Sequence, residues 1–295
     1  MSWLTEIPQL DRSGMTSLKK IIDEAFKGFS RQYGEGIENF FKPLLDFLIF
    51  FEKLLLATPW WLMIAILVLI TQLAARSVKL SVGVGVALLC IGFLGMWEDT
   101  MRTLSLITVC TLLSILIGIP VGILMSRSDR TQKVITPVLD IMQTMPAFVY
   151  LIPVVILLGI GRVSGLIAVV IYAIPPVIRL TNLGIRLVDK EVIEAADSYG
   201  VTSMQRLWSV QLPLAMPNIM AGINQTIMMA LSMVVIASMI GVRGLGLPVL
   251  QAINNQYIAQ GLLNGSAIVV LAIIFDRVSQ AYAKRSQHNI GGQND

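Results

Sequence analysis

The amino-acid sequence predicts an all-α membrane protein with about seven transmembrane helices. Of its 295 residues, 55% are hydrophobic and only 14% are charged, whereas a soluble domain carries nearer a quarter charged residues. Several apolar runs approach the roughly 20 residues that cross a bilayer as a helix. Helices are required because lipid offers the backbone no hydrogen-bond partner. The predicted spans lie at about 59–75, 79–96, 102–125, 142–160, 163–182, 214–240 and 263–281.

The first 58 residues are predicted to form a polar segment that ends in an interfacial helix. Residues 1 to about 40 are polar and of mixed charge, and they do not open with a signal-peptide pattern. Residues 41–58 are apolar but contain Asp46, Glu52 and Lys53, whose charges are costly in the bilayer core. We therefore expect an amphipathic helix lying on the membrane. The alternative, a spanning helix at 41–58, would raise the count to eight.

Lys and Arg are unevenly divided between the two sets of loops, which predicts the orientation of the chain. Cytoplasmic loops carry an excess of these residues. The richer set contains Arg76, Lys79, Arg127, Arg130, Lys133, Arg186, Lys190, Arg206, Lys284 and Arg285. The opposite set holds only Arg102, Arg162 and Arg243. Seven spans thus place the N-terminus outside and the C-terminus inside, and an eighth would bring the N-terminus inside.

The residue inventory argues against a metal site or a catalytic centre. Cys90 and Cys110 lie in apolar runs without a partner at metal-ligand spacing, and the one histidine, His288, lies in a polar tail. We therefore predict no catalytic residues and no metal ligands. The net charge of +4 is assigned to the loops rather than to nucleic-acid binding, because no basic stripe interleaved with aromatic residues appears.

The segment from Asp189 to Pro213 is the longest predicted cytoplasmic loop and the most ordered one. Asp189 is a good N-cap for a helix that runs to about Ser198. Gly200 suits the left-handed position that ends such a helix. A second short helix, capped by Thr202 or Ser203, would run through Val210, with Pro213 marking the next boundary. So much order, with several exposed apolar residues, predicts that another protein docks there.

Within this loop a spaced pattern resembles the coupling loop of ABC-type importer permeases. That family carries E-A-A, three residues, G, nine residues, I, one residue and L-P. In this chain the pattern begins with Glu194, Ala195 and Ala196, has Gly200 at the position of the family glycine, and ends with Leu212 and Pro213 (residues 212–213). Val replaces Ile at position 210, a mild departure. The resemblance implies a type I ABC importer permease fold.

A second resemblance covers more of the chain. Residues 98–281 resemble the permease core of this class. The stretches 144–153 (TMPAFVYLIP), 159–161 (GIG) and 174–181 (IPPVIRLT) are similar to the group that imports glycine betaine, proline betaine, choline or carnitine. The implied domains are 1–58 (polar segment with interfacial helix), 59–97 (two transmembrane helices), 98–281 (permease core) and 282–295 (polar cytoplasmic tail).

The family resemblance implies a set of partners. Two permeases, here two copies of one chain, would pair around a pathway in a bacterial plasma (inner) membrane, and each would dock on one of two copies of an ATP-binding subunit. An extracytoplasmic binding protein would deliver the substrate. The ATPase contact would be formed by Glu194, Ala195, Ala196, Asp197 and Gly200, with Leu212 and Pro213 ending the loop against the membrane.

ATP and Mg²⁺ would be used by the partner, because no GxxxxGK[ST] phosphate loop is present in this chain. Gly241, Gly244 and Gly246 instead suggest a turn before a short outer helix. The substrate path is poorly marked. Quaternary ammonium groups are often held by aromatic faces, so Phe148, Tyr150 and Tyr172 are candidate path residues, with plain packing as the alternative.

Three other functions stay open at this point. An ion-coupled secondary transporter would need ionisable residues deep in the membrane, but Asp140 and Asp276 lie toward predicted span ends. A membrane enzyme or scaffold has no nucleophile–base pair to support it. An ABC permease for a different small polar substrate would share the loop but not the cargo.

Overall fold

The computed structural model describes residues 11–291 and shows a bundle of helices. Residues 1–10 of the predicted N-terminal segment and 292–295 of the predicted tail lie outside the described residues. Helices α1 to α4 are Arg12–Ala57, Trp60–Ala75, Val78–Phe93 and Trp97–Arg127. Helices α5 to α8 are Asp129–Thr144, Leu151–Leu158, Arg162–Ala173 and Pro175–Arg186. Helices α9 to α13 are Lys190–Ser198, Ser203–Arg206, Leu212–Ser238, Gly246–Asn255 and Ile258–Gly291.

The helices agree in position with the predicted spans. Among the described residues, four helical stretches are long and apolar enough to cross a membrane: Trp97–Arg127, Arg162–Arg186, Ser203–Ser238 and Ile258–Ala283. Two further pairs of helices pass the same test together but are bent, α1 with α2 and α5 with the helical residues 147–158. The shorter helix α3 occupies the second predicted span. The all-α fold class is confirmed.

The prediction of one continuous helix at 142–160 is wrong. Helix α5 ends at Thr144, and the chain bends by 111° before the next helical stretch. Met145 adopts an extended backbone, as is usual for the residue before a proline, since Pro146 disfavours the helical conformation at its predecessor. A 3₁₀ turn at Ala147–Tyr150 then leads into α6. As a result, α5 runs in a different direction from the helical residues 147–158.

Helix α1 is much longer than the predicted interfacial helix at 41–58: it ends at Ala57 but begins already at Arg12. It meets α2 at an angle of 110°. The half-buried carboxylate of Glu52 accepts a 3.0 Å hydrogen bond from Arg162, and it lies 3.8 Å from Arg102. These arginines stand near the N-terminal ends of α7 and α4. The sharp bend and the ionic contacts at helix ends favour a helix that lies along the membrane surface.

The helices that flank the long loop pack very closely. Gly122 of α4 faces α8, where a Cβ atom on the glycine would lie 2.6 Å from Thr181 Cβ and 2.8 Å from the Ile178 carbonyl oxygen. Gly184 of α8 faces α11, where a Cβ atom would lie 2.8 Å from Asn218 Cβ. Helices α4, α8 and α11 therefore form one tightly packed unit, and the loop 187–211 joins two of its members.

Candidate functional site

The first half of the loop is a capped helix that ends at a glycine turn. Asp189 caps α9, because its Oδ1 accepts a 3.0 Å hydrogen bond from the Glu191 amide. At the other end, the Gly200 amide donates to the Asp197 carbonyl at 2.9 Å, and Gly200 has φ +73°. Both the predicted cap and the predicted left-handed glycine are confirmed.

The second half of the loop begins with a reciprocal cap. The Thr202 Oγ1 accepts from the Gln205 amide at 3.3 Å, while the Gln205 side chain accepts from the Thr202 amide at 2.8 Å. This capping box satisfies two amide donors that a helix start leaves unpaired. The turn between α9 and α10 is thus fixed by residues on both of its sides.

The predicted helix end near Val210 is wrong. Helix α10 passes through a π-helical turn at Leu207–Gln211 directly into α11, so that Ser203–Ser238 is one 36-residue helical stretch. Pro213 lies in the first turn of α11. Proline is tolerated there because the wider π turn precedes it and the first turn of a helix needs no donor at that residue.

An ion pair joins the two halves of the loop. Arg206 donates to both carboxylate oxygens of Asp197, at 2.8 Å and 2.6 Å. The Asp197 side chain is 47% exposed and that of Arg206 is 29% exposed. Asp197 is one of the predicted ATPase-contact residues, and its carboxylate already has a basic neighbour within the loop. Its first effect is therefore to hold α9 against α10.

The loop turns an apolar surface outward. Tyr199 is 88% exposed, Met204 54% and Trp208 62%. The Trp208 indole N–H points to the Met204 sulfur at 3.2 Å. Ala195 is exposed beside Glu194 and Ala196 is half-buried, and α9 has no buried residue at all. A helix that presents alanine on its surface lets a partner approach its backbone closely.

One side of the loop is anchored in the bundle. Leu207 is 3% exposed and packs in a cluster with Ile185, Ala215 and Ile219 of the neighbouring helices. Leu212 belongs to the same cluster, while Pro213 is half-buried. The predicted site residues therefore divide into an exposed set around Glu194 to Gly200 and a packed set at 212–213.

The three candidate path aromatics do not share one open surface. Tyr150 is 5% exposed, and its hydroxyl donates to the Met142 carbonyl. Its ring meets that of Tyr172 edge-on, with centroids 6.0 Å apart. Phe148 is 58% exposed. Packing accounts for the two tyrosines in this arrangement, and the path role of the three residues stays a prediction.

The predictions from the sequence did not include the ion pair between Arg206 and Asp197 or the burial of Leu207 in the bundle. The pairing of Arg206 with Asp197 could have been predicted from the sequence. The turn at Gly200 brings the second helix of the loop back beside the first, and Arg206, nine positions after Asp197, lies on that second helix. Among residues 11–283, whose side chains the structure describes, no three His, Cys, Asp or Glu side chains converge on a point that could hold a metal ion.

Residues 114–288 match the family model described as the binding-protein-dependent transport system inner membrane component. A glycine betaine/carnitine transport permease protein of Listeria monocytogenes is 51% identical over 78% of this chain and 82% of its own length. A glycine betaine transport system permease protein of Bacillus subtilis is 41% identical over 92% of this chain and 96% of its own length.

A solved structure supports the fold independently of sequence identity. A chain of the MetNI methionine ABC transporter, in an inward-facing conformation, aligns with a TM-score of 0.58 at 19% identity. The alignment covers 65% of this chain and 95% of that one.

Proposed function

The chain belongs to the family of binding-protein-dependent transport system inner membrane components, and we propose that it forms the membrane pathway for glycine betaine or a related quaternary ammonium osmolyte. Proline betaine, choline and carnitine are the related candidates. The support is the high identity, over most of the chain, to permease proteins that are named for glycine betaine.

The loop 189–213 is the proposed contact with a separate ATPase subunit. The observation that carries this proposal is the helical stretch Ser203–Ser238, because it joins the loop to a membrane-spanning segment without an intervening non-helical linker. A push on the exposed surface around Trp208 would be transmitted along a rigid helix rather than absorbed by a flexible linker. Alternating access needs such a two-state packing of rigid elements.

In this proposal the exposed set supplies the docking surface. Ala195 and Ala196 would lie in a groove of the ATPase, while Tyr199 and Trp208 would cover its rim. Glu194 stays available to face a basic group of that partner. The hydrolysis of ATP, with its Mg²⁺, would take place entirely on the partner.

The assembly we propose contains two copies of this chain and two copies of the ATPase. An extracytoplasmic binding protein would deliver the osmolyte to the outer side. These copy numbers are what the family resemblance implies, with the one loop of each chain meeting one ATPase subunit.

Reconstitution in vesicles tests the proposal. The chain is inserted together with its ATPase, and labelled glycine betaine is supplied with the binding protein. We expect uptake that requires ATP, together with ATP hydrolysis that the loaded binding protein stimulates. An ATPase variant without its phosphate-loop lysine is the control and should support no uptake. Uptake that follows an ion gradient without ATPase would instead establish a secondary transporter.

A further inference from the structure

Polar side chains of α5, α8 and α11 line an open groove of about 450 Å³. Helix α5 contributes Gln132, Thr136 and Gln143, which lie close to one face of the helix. Helix α11 contributes the exposed Gln225, thirteen residues into a 27-residue apolar helix. A groove of this polarity is unusual on the surface of a membrane bundle, because lipid offers amides no hydrogen-bond partner.

One positive and one negative charge stand at this groove. Arg179 of α8 lines it. The Arg179 guanidinium pairs with the carboxylate of Asp140, which lies on α5 between the lining residues Thr136 and Gln143. The Asp140 side chain is 56% exposed and that of Arg179 is 34% exposed. Arg179 lies within the candidate span Arg162–Arg186, where a charged residue is a functional candidate because its exposure to lipid would be costly.

The bonding of Arg179 is incomplete, in contrast to that of a neighbouring arginine. Arg186 lies two turns further along α8 and is held by Asp129, Asn182 and the Met125 carbonyl. Arg179 has the Asp140 contact, but its Nε is buried without a hydrogen-bond partner. The Arg179 side chain is nevertheless 34% exposed, so its other N–H groups can meet an acceptor that enters the groove.

We propose that this groove is a transit site for a small zwitterion, in which Arg179 takes the carboxylate of the osmolyte and Asp140 faces its quaternary ammonium group. The inference rests on the proposed function and adds the residues that hold the cargo. When the osmolyte binds, Arg179 and Asp140 would separate from each other, and each would contact the oppositely charged end of the osmolyte. Since the two protein charges cancel, the groove attracts a zwitterion without concentrating simple cations or anions.

The other lining groups suit the same ligand. Three glutamines and one threonine offer dipoles of adjustable direction, and no aromatic ring belongs to the described lining of the groove. A transit site needs weak binding so that the cargo can leave, and an aromatic cage would bind a quaternary ammonium group more tightly. The apolar residues behind the groove, among them Leu139 and Val177, are buried and keep its shape.

Thiol labelling at Gln225 tests this inference. The full chain, with Cys90→Ala to remove the exposed native thiol, is placed in lipid nanodiscs with its ATPase, without ATP or binding protein. Gln225→Cys should react with a membrane-impermeant thiol reagent, because the groove is open to water. Ile273→Cys is the matched control, since Ile273 is also exposed but lies on α13, outside the groove, and it should react slowly.

Protection from labelling reports the ligand. Glycine betaine should slow the reaction at Gln225→Cys. Choline lacks the carboxylate and acetate lacks the cation, so each should need about a tenfold higher concentration for the same protection, as expected for the loss of one charge-assisted contact. Arg179→Gln should erase the preference of betaine over choline. Arg179→Lys keeps the charge and should retain part of the preference, so it replaces Arg179→Gln if that variant does not fold.

Three results would overturn the inference. The first is no reaction at Gln225→Cys, which would show that lipid or a second copy of the chain covers the groove. The second is a reaction that glycine betaine does not slow. The third is an unchanged preference for betaine over choline in the folded Arg179 variants. ATP-driven uptake is measured separately, on the Cys90→Ala chain with Gln225 intact, reconstituted in vesicles with its ATPase and the binding protein: uptake without protection refutes only the groove, whereas absent uptake refutes the proposed function.

Discussion

Replacing Gly200 by valine isolates the contribution of the glycine turn to ATPase docking. Gly200 has φ +73°, and no heavy atom lies within 4 Å of the position that a Cβ would take. The effect of a side chain is therefore confined to the backbone. A non-glycine residue in the left-handed region costs about 1–2 kcal/mol, and a β-branched residue lies at the upper end or beyond.

The loop can relieve this strain by changing the angle between α9 and α10, which would separate Asp197 from Arg206. Docking would then have to restore the strained turn. If the whole cost appears in binding, the affinity for the ATPase falls about 5–30-fold, since 1.4 kcal/mol corresponds to tenfold. Helix α9 buries no residue, so the thermal stability of the bundle should change little.

The assay is a titration of the purified ATPase against the chain in nanodiscs. Gly200→Asn is the matched control, because asparagine enters the left-handed region far more readily than valine, and it should retain most of the affinity. Equal binding by the wild type and the Gly200→Val variant would refute the coupling role of this turn. Equal losses for valine and asparagine would refute the backbone argument.

Three further predictions concern other contacts. Asp197→Asn should weaken ATPase binding by no more than about fivefold, since an exposed ion pair contributes about 0.2–1 kcal/mol. Adding Arg206→Gln to this variant should not weaken binding further, because the pair is already broken. Additive losses in the titration would contradict this. Gly122→Ala should lower the melting temperature, because overpacking costs about 1–3 kcal/mol. The control Gly83→Ala should not lower it, because Gly83 has open space around it. Equal melting curves for the two variants would refute the close packing of α4 against α8. Glu52→Gln should speed limited proteolysis within α1, because it removes the carboxylate that pairs with Arg162 and one of the three carboxylates near Arg102. Unchanged cleavage would show that these pairs do not hold α1.

The sequence predicted most helices of this fold because hydrophobic runs of membrane length leave few other solutions. It failed at Met145 and Pro146, where hydropathy is continuous but the backbone is not. Proline occurs in both broken and unbroken helices of this chain: Pro120 lies inside α4, whereas Pro146 ends a helix. Which outcome occurs depends on whether neighbouring helices satisfy the freed carbonyl, and tertiary packing decides this rather than local sequence.

The coupling loop was more predictable than the rest of the candidate site. Its caps are local: Asp189 bonds a backbone amide two residues away, and Thr202 bonds Gln205 three residues away. Spacing alone reveals such contacts. The pair formed by Asp140 and Arg179 joins residues 39 positions apart, and nothing in the hydropathy of α5 or α8 indicates that their polar faces meet. Long-range polar contacts of this kind require the fold.

The two charged pairs of the cytoplasmic half act at different levels of the same helices. The contact between Arg186 and Asp129 fixes the start of α5 to the end of α8, close to the loop. The contact between Arg179 and Asp140 lies farther along both helices and borders the groove. Helix α8 carries both arginines and therefore connects the end of the bundle at the loop 189–213 with the groove. Under the proposed function, a movement of α8 relative to α5 would change the separation of Arg179 and Asp140, and with it the contacts that the groove offers to the osmolyte.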